Sequence, residues 1–384
     1  MHRSILAVTP LMGAAMAFQC SSFYTNVTVS ALSYLPAFPP FENHYETVAF
    51  LKGFTARNAS TASPFKGAVN VTETFSISAD FCWPSRSHHG PPHGGPPYGG
   101  PPNGEPLDVQ VLTHGLGFDK SYWNFYGESS EYNYINAATG AGYATLSYDR
   151  IGNGLSSIPD PYTIQQAPIE LAVLEQLTIK LRDGTLDSCI RQPVRKVFHV
   201  GHSFGSALSH GVAARSPGLS DGVILTGYAA ITLGGGPFAI SSGLHLAKEN
   251  QPERFGNHST GSLTWGDELA NQYSFLTAPY FDPKVLAYAE AHKFPFSISE
   301  FLTQGLIETN ATAFTGPVLL MAADTDLIFC ESDCVGIVDQ LAPFFPAAAP
   351  FQTYIQPRTG HGMNLHYNAT AMYGVVNKFL KDHA

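Results

Sequence analysis

A serine lies between two glycines near the middle of the chain. The segment GHSFG (201–205) follows the strand-forming run 197–200 and precedes small and apolar residues suited to a helix. A Gly-x-Ser-x-Gly sequence at such a junction forms a tight turn, because glycines remove side chains that would collide with neighbouring backbone. The pattern predicts a Ser203 hydroxyl that stands free at a sheet edge. The N–H of Phe204 should face the same space from a helix N-terminus.

A free serine hydroxyl is a poor nucleophile, so the chain should also supply a base and a group that orients the base. Asp324 and Asp326 follow the apolar run 317–323, and His361 follows the strand-like run 351–357. The order serine, aspartate, histidine is the one expected for an architecture with a Gly-x-Ser-x-Gly turn between strand and helix. These residue types predict acyl transfer through a covalent intermediate. Either aspartate could orient His361 on this evidence.

The elements that would position these residues alternate along the chain. Strand-like patterns cover 48–56, 68–83, 108–115, 143–154, 196–203, 222–229, 316–326 and 351–357, and helix-like patterns cover 165–182, 204–216 and 371–382. Such alternation predicts βαβ units, hence a mostly parallel sheet with helices on both faces. Reactive groups in these sheets gather at the carboxyl ends of the strands.

One long interval interrupts the alternation. Residues 230–315 are rich in aromatic side chains and too long for a simple crossover. We interpret them as an inserted cap over the sheet's active edge, with Trp265, Tyr280 and Phe281 as candidate substrate contacts. Extra packing helices that never touch substrate are the alternative.

A second unusual segment, residues 85–106, is dominated by Gly and Pro and predicts an extended surface loop. Its histidines could bind a metal ion, but a solvated loop is the simpler interpretation, and we predict no metal site or cofactor. These histidines are His88, His89 and His93.

Five segments resemble the α/β-hydrolase fold-1 family over roughly residues 45–380. They are THGLG (113–117), YDRIGNGLS (148–156), GHSFG (201–205), PVLLMAADTD (317–326) and GHG (360–362). The resemblance implies an α/β-hydrolase fold with a catalytic triad of Ser203, Asp326 and His361. Asp326 is chosen over Asp324 because it precedes an apolar pair, as the family's acid does. It also implies an oxyanion hole from the N–H groups of Leu116 and Phe204. His114 would support the loop that carries Leu116, residues 113–117, which we call the oxyanion loop.

The N-terminus and the sequons predict export. Residues 1–17 have a basic start, an apolar run and small residues before a cleavage point, which is typical of a signal peptide. The chain after the peptide, 18–384, should form one hydrolase domain, secreted from a eukaryotic cell of fungal type. Six Asn-x-Ser/Thr sequons predict glycosylated, exposed loops at Asn26, Asn58, Asn70, Asn257, Asn310 and Asn368.

Composition narrows the function classes further. The formal net charge of −10 argues against nucleic-acid binding, and no later run is long and apolar enough to span a membrane. The five cysteines are Cys20, Cys82, Cys189, Cys330 and Cys334. Cys330 and Cys334 are close enough to pair and Cys20 with Cys82 is a weaker pairing, but the sequence does not fix the connectivity, and the odd count leaves at least one thiol unpaired unless it bonds another chain.

These features together predict a secreted serine esterase or lactonase for small apolar or aromatic substrates, with its oligomeric state left open. A peptidase of the same fold is the main alternative. It would resemble proline aminopeptidases and need an acidic anchor for the substrate amine, such as Glu268 or Glu300. Non-hydrolytic chemistry by the same triad, or a non-catalytic binding protein on this scaffold, are further alternatives.

Overall fold

The computed structural model describes residues 18–58, 63–84, 106–127, 130–188, 190, 192–230 and 234–383. The predicted signal peptide (1–17), almost all of the Gly/Pro-rich segment with its three histidines, and Cys189 lie outside these ranges.

The described residues build one large sheet and one small sheet. The strands are β1 Phe18–Pro36, β2 Phe65–Pro84, β3 Leu107–Thr113, β4 Ala144–Tyr148, β5 Val194–His202, β6 Gly222–Thr226, β7 His245–Leu246, β8 Ser262–Thr264, β9 Phe296–Ser297, β10 Val318–Ala323 and β11 Phe351–Gln356. The large sheet has the order β1-β2-β4-β3-β5-β6-β10-β11, and only the pairs β1–β2 and β2–β4 are antiparallel. The predicted mostly parallel sheet is confirmed.

Helices connect and cover these strands. They are α1 His44–Phe54, α2 Tyr134–Gly140, α3 Ala167–Arg182, α4 Phe204–Arg215, α5 Gly235–Ser241, α6 Ala247–Asn250, α7 Pro252–Phe255, α8 Glu268–Phe275, α9 Pro283–Ala291, α10 Ile298–Thr303, α11 Leu327–Cys330 and α12 Ala369–His383. Helices α3 and α4 contact each other, as do α2 and α12. Strands β3, β4, β5, β6 and β10 are buried almost throughout, as expected for parallel strands beneath helices.

Two N-terminal elements differ from the prediction. The predicted strand 48–56 is not formed, because residues 48–54 belong to α1, where Asn43 caps the first turn and Thr47 and Leu51 form a buried i, i+4 pair. Strand β1 was not predicted at all. Its buried Val27 and Val29 alternate with exposed polar residues, and its whole length pairs with β2, so the long hairpin depends on a partner far along the chain.

We call residues 234–315, between β6 and β10, the insert. It contains helices α5 to α10 and the small antiparallel sheet β7-β8-β9. Helix α1 contacts β7, and His44 Nε2 lies 2.7 Å from the Glu249 carboxylate. The segment between β1 and β2 therefore packs against the insert. No helix within the described ranges has the length and apolar character needed to cross a bilayer.

Both disulfides considered from the sequence are present. Cys20 and Cys82 are directly opposite each other in the β1–β2 ladder, and Cys330 and Cys334 join the end of α11 to the following turn. The first bond links residues 62 positions apart, whereas the second spans only 4.

We expect the double variant Cys20→Ser/Cys82→Ser to lose about 4 kcal/mol of unfolding free energy, because the disulfide that it removes restricts a long loop of the unfolded chain. The matched variant Cys330→Ser/Cys334→Ser removes a bond that closes a much shorter loop, so it should lose about 2 kcal/mol of unfolding free energy. Denaturant unfolding of the oxidised proteins measures both values. Equal losses in the two variants would contradict the loop-length explanation.

Candidate active site

Ser203 occupies a strained turn between β5 and α4. Its backbone has φ 57° and ψ −121°, a left-handed conformation that a residue with a side chain adopts only where the surroundings enforce it. The Ser203 N–H donates to Thr226 O at 2.9 Å, which ties the turn to the end of β6.

The flanking glycines are required by close backbone contacts. A Cβ atom on Gly205 would lie 2.0 Å from Thr113 O, and one on Gly201 would lie 2.4 Å from Gly205 O. Both separations are far below van der Waals contact, so any side chain would push β3, β5 and α4 apart. The turn therefore presents Ser203 only because these two positions are glycine.

The three residues predicted to act together meet at the carboxyl ends of β5, β10 and β11. His361 Nε2 lies 2.8 Å from Ser203 Oγ, and His361 Nδ1 lies 2.7 Å from Asp326 Oδ2. The side chains of Asp326 and His361 are fully buried, and Ser203 is only 9% exposed. Such a chain of hydrogen bonds can move a proton from the hydroxyl to the imidazole while the carboxylate faces the resulting positive charge.

The two candidate aspartates have different partners. Asp326 Oδ1 accepts from the N–H groups of Ile328 and Phe329, at 2.8 and 3.0 Å, which leaves Oδ2 directed at His361. Asp324 instead accepts from the N–H groups of Arg358 and Thr359. Asp326 is therefore the carboxylate that orients His361, and Asp324 stabilises the loop that precedes it.

The predicted oxyanion donors flank the serine. A Cβ on Gly115 would lie 2.9 Å from Ser203 Cβ, so the loop after β3 lies directly against the turn, and Leu116 lines the same cavity as Ser203. Phe204 is the first residue of α4, where an N–H has no carbonyl partner one turn back. Both N–H groups can serve a negatively charged oxygen at this position.

Other polar residues near the serine have structural contacts. His366 Nε2 accepts from the N–H groups of Thr277 and Gly360, and burial lowers the pKa of His366 to about 4. His202 stacks on Tyr122, with ring centroids 4.5 Å apart, and burial holds its pKa well below the usual range. The hydroxyls of Ser206 and Ser209 donate to backbone carbonyls, as expected for ordinary helix serines.

The cavity above Ser203 is narrow and apolar. Its volume is ≈ 30 Å³, enough for a water molecule or two but not for an ester substrate. The insert contributes four side chains and one glycine, and the loop after β3, the turn after β5 and helix α11 contribute the rest. The lining residues are Leu116, Ser203, Gly235, Phe238, Phe275, Phe301, Gln304, Ile328 and Phe329.

The three aromatic residues predicted to contact substrate lie elsewhere. Trp265 is fully buried behind the wall, packed on Phe275 and Gly117, with its indole N–H donating to Glu290. Phe281 is buried beside His366. Tyr280 lies in a separate surface groove. Aromatic content located the insert, but only packing decides which rings face the serine.

A buried ionic cluster next to the oxyanion loop was not predicted. Arg150 Nη1 lies 2.5 Å from carboxylate oxygens of both Glu170 and Glu300, and all three side chains are at most 2% exposed. Burial raises the pKa of Glu170 well above its usual range, despite the nearby guanidinium. Arg150 lies in the segment YDRIGNGLS, so the signal was present, but its acidic partners are remote in sequence. Among described residues, no group of three or more His, Cys, Asp and Glu forms a metal-ligand cluster.

Comparison with known proteins agrees with this architecture. A family model described as the alpha/beta hydrolase family matches residues 110–372. A monoacylglycerol lipase of Paleococcus ferrophilus is 18% identical, with 72% of this chain and 95% of that chain covered and a TM-score of 0.51. A thermophilic esterase from Thermogutta terrifontis is 14% identical, with coverages of 85% and 97% and a TM-score of 0.51.

A methylesterase from Arabidopsis is 16% identical, with 72% of this chain and 100% of that chain covered and a TM-score of 0.51. At these identities the likeness concerns the fold alone. No curated protein matches the sequence.

Proposed function

Because the chain belongs to the alpha/beta hydrolase family, we propose that it is a serine hydrolase that cleaves carboxylic esters, including lactones, with apolar acyl groups. The observation that carries this proposal is the buried chain of contacts from Ser203 Oγ through His361 to Asp326, at 2.8 and 2.7 Å. The N–H groups of Leu116 and Phe204, next to the hydroxyl, can supply the oxyanion donors that acyl transfer needs.

The proposed reaction has two halves. Ser203 Oγ attacks the carbonyl carbon while His361 Nε2 takes the hydroxyl proton, and the tetrahedral oxyanion accepts from the N–H groups of Leu116 and Phe204. His361 then gives that proton to the departing alkoxide, which leaves an acyl-enzyme. A water molecule loses a proton to His361 as it attacks the acyl carbon, and the proton returns to Ser203 as the acid leaves.

The cavity and its surroundings support this substrate class. Aromatic and aliphatic side chains line the cavity, and Gln304 is the one side-chain amide that joins them. Glu300, considered as an anchor for a peptide amine, accepts from Arg150, Gln165 and the Ser297 N–H instead. Glu268 is exposed at the start of α8 and is not part of the lining. An apolar ester therefore suits the site better than an amino-terminal peptide.

We also propose that the protein is exported and glycosylated. Asn26, Asn58, Asn70, Asn257 and Asn310 are exposed, although Asn26 and Asn70 lie on the β1–β2 hairpin rather than in the loops predicted for them. Asn368 is half-buried, and its amide N–H donates to Pro357 O at 2.6 Å.

We expect Ser203→Ala and His361→Ala to abolish measurable turnover of p-nitrophenyl butyrate while the thermal unfolding curve keeps its shape. Asp326→Asn should lower kcat by about 10⁴-fold, because the amide no longer favours the productive imidazole tautomer. Asp324→Asn is the matched control and should keep most of the activity, since Asp324 contacts only backbone. Full activity of Asp326→Asn would contradict the assignment of the acid.

Chain-length preference tests the lining of the cavity. The Phe301→Gln variant replaces an apolar wall by a polar one of similar length, so the ratio of kcat/KM for p-nitrophenyl octanoate over acetate should fall about fivefold, equivalent to roughly 1 kcal/mol of lost apolar contact. The control Tyr280→Gln changes a ring outside the cavity and should leave the ratio unchanged. If Tyr280→Gln alone lowered the ratio, the substrate would lie in the Tyr280 groove instead.

Glycan mapping tests the proposed glycosylation. In protein secreted by a eukaryotic host, treatment with peptide N-glycosidase should convert the five exposed asparagines to aspartate and leave Asn368 unchanged, because a glycan there would disturb the packing of its side-chain amide. Peptide mass spectrometry measures each site. Absence of glycans at all five exposed sites would contradict the proposal.

A further inference from the structure

The peptide bond between Gly115 and Leu116 is held from its carbonyl side. Gly115 O accepts from Arg150 Nη2 at 3.1 Å and from His114 Nδ1 at 2.9 Å. A trans peptide is planar, so its C=O and N–H point in opposite directions. Whatever fixes the carbonyl of Gly115 therefore also fixes the direction of the Leu116 N–H, which is the proposed oxyanion donor.

The tautomer and the protonation state of His114 fit this arrangement. Its Nε2 accepts from the backbone N–H of Arg150 at 3.1 Å, so the ring proton must lie on Nδ1, from which it is donated to Gly115 O. Burial, with a smaller effect from the Arg150 charge, holds the pKa of His114 well below its usual range. The imidazole is therefore neutral at neutral pH and acts as a fixed donor.

Arg150 is itself held in place from two parts of the fold. Nη1 bonds to Glu170 of α3 and to Glu300 of α10 in the insert, both at 2.5 Å. Glu300 is secured in turn by Gln165 Nε2 and by the N–H of Ser297. One guanidinium thus connects the insert, helix α3 and the oxyanion loop, a bridging geometry that a planar fork of donors allows.

The same side chain also contacts the second proposed donor residue. The guanidinium lies over the ring of Phe204, 4.7 Å from its centroid. On the other side of Leu116, Gly117 O accepts from the N–H of Phe294 in the insert at 2.9 Å. Leu116 therefore lies between two carbonyls that other elements hold, and the insert contributes to both.

We propose that Arg150 is a positioning residue that orients the Leu116 N–H through the Gly115 carbonyl, and that Glu300 makes this orientation depend on the insert. The inference rests on the proposed function, because it concerns the oxyanion hole of that reaction. In this arrangement the insert does more than enclose the cavity, since the position of α10 determines whether the donor points at the reacting oxygen.

The test compares Arg150→Lys with wild type. Lysine keeps a positive charge between the two carboxylates, but a single ammonium cannot bond to them and to Gly115 O at the same geometry. We expect kcat for p-nitrophenyl butyrate to fall about 10- to 100-fold, up to the range seen when an oxyanion donor is lost, with KM changed less than about threefold. A trifluoromethyl ketone, which forms a tetrahedral adduct on the serine, should lose affinity by a similar factor.

Two further variants make the result decisive. Glu300→Gln keeps the size of the side chain but removes its charge, and it should shift kcat and inhibitor affinity in the same direction by a smaller factor. The matched control is Arg182→Lys, because Arg182 also joins a carboxylate and a backbone carbonyl, Asp221 and Leu219 O, but lies away from the serine. It should lower the unfolding temperature without changing kcat.

The outcomes separate this inference from the function on which it rests. Esterase activity that is absent from wild type, or unchanged by Ser203→Ala, overturns the proposed function itself. Serine-dependent activity with kcat and inhibitor affinity unchanged in folded Arg150→Lys overturns only the positioning role. A fall in kcat without a parallel loss of inhibitor affinity also overturns it, because a misdirected donor must weaken both.

Discussion

The left-handed backbone at Ser203 is the constraint on which the site depends. The turn brings the start of α4 so close to β3 that Gly205 must lack a side chain, and the same closeness places the oxyanion loop against the serine. Strain at one residue is maintained because β3, β5, β6 and α4 all pack around it. The parallel sheet supplies the rigid frame, since β10 and β11 end at the same edge and deliver Asp326 and His361 there.

The insert covers the serine and also contacts the oxyanion loop. Its helices place Phe238, Phe275 and Phe301 over the serine and leave only a narrow cavity. It also reaches the oxyanion loop through Glu300 and through the N–H of Phe294. The cavity walls and the loop that carries Leu116 are thereby joined in one set of contacts.

Short sequence patterns predicted the turn, strands and helices whose structure is determined within a single segment. The turn at Ser203, the buried parallel strands and helices α3, α4 and α12 each have a signature within one short segment. Helix α1 replaces a predicted strand because its β-branched and aromatic residues also suit a short strand. Strand β1 was missed because its polar residues make sense only opposite β2. Contacts between distant segments could not be predicted from the sequence. Arg150 bonds to Glu300, which lies 150 positions further along the chain. No residue near Trp265 in the sequence indicates that its ring faces Gly117.

The most direct measurement of the central claim is covalent labelling with a fluorophosphonate, followed by mass spectrometry of the peptide that contains residue 203. The hydroxyl is nucleophilic only if His361 can take its proton, so wild type should carry one phosphonyl group on Ser203 and His361→Ala should remain unlabelled. Folded wild-type protein that stays unmodified at Ser203, or is labelled equally in His361→Ala, would contradict the account.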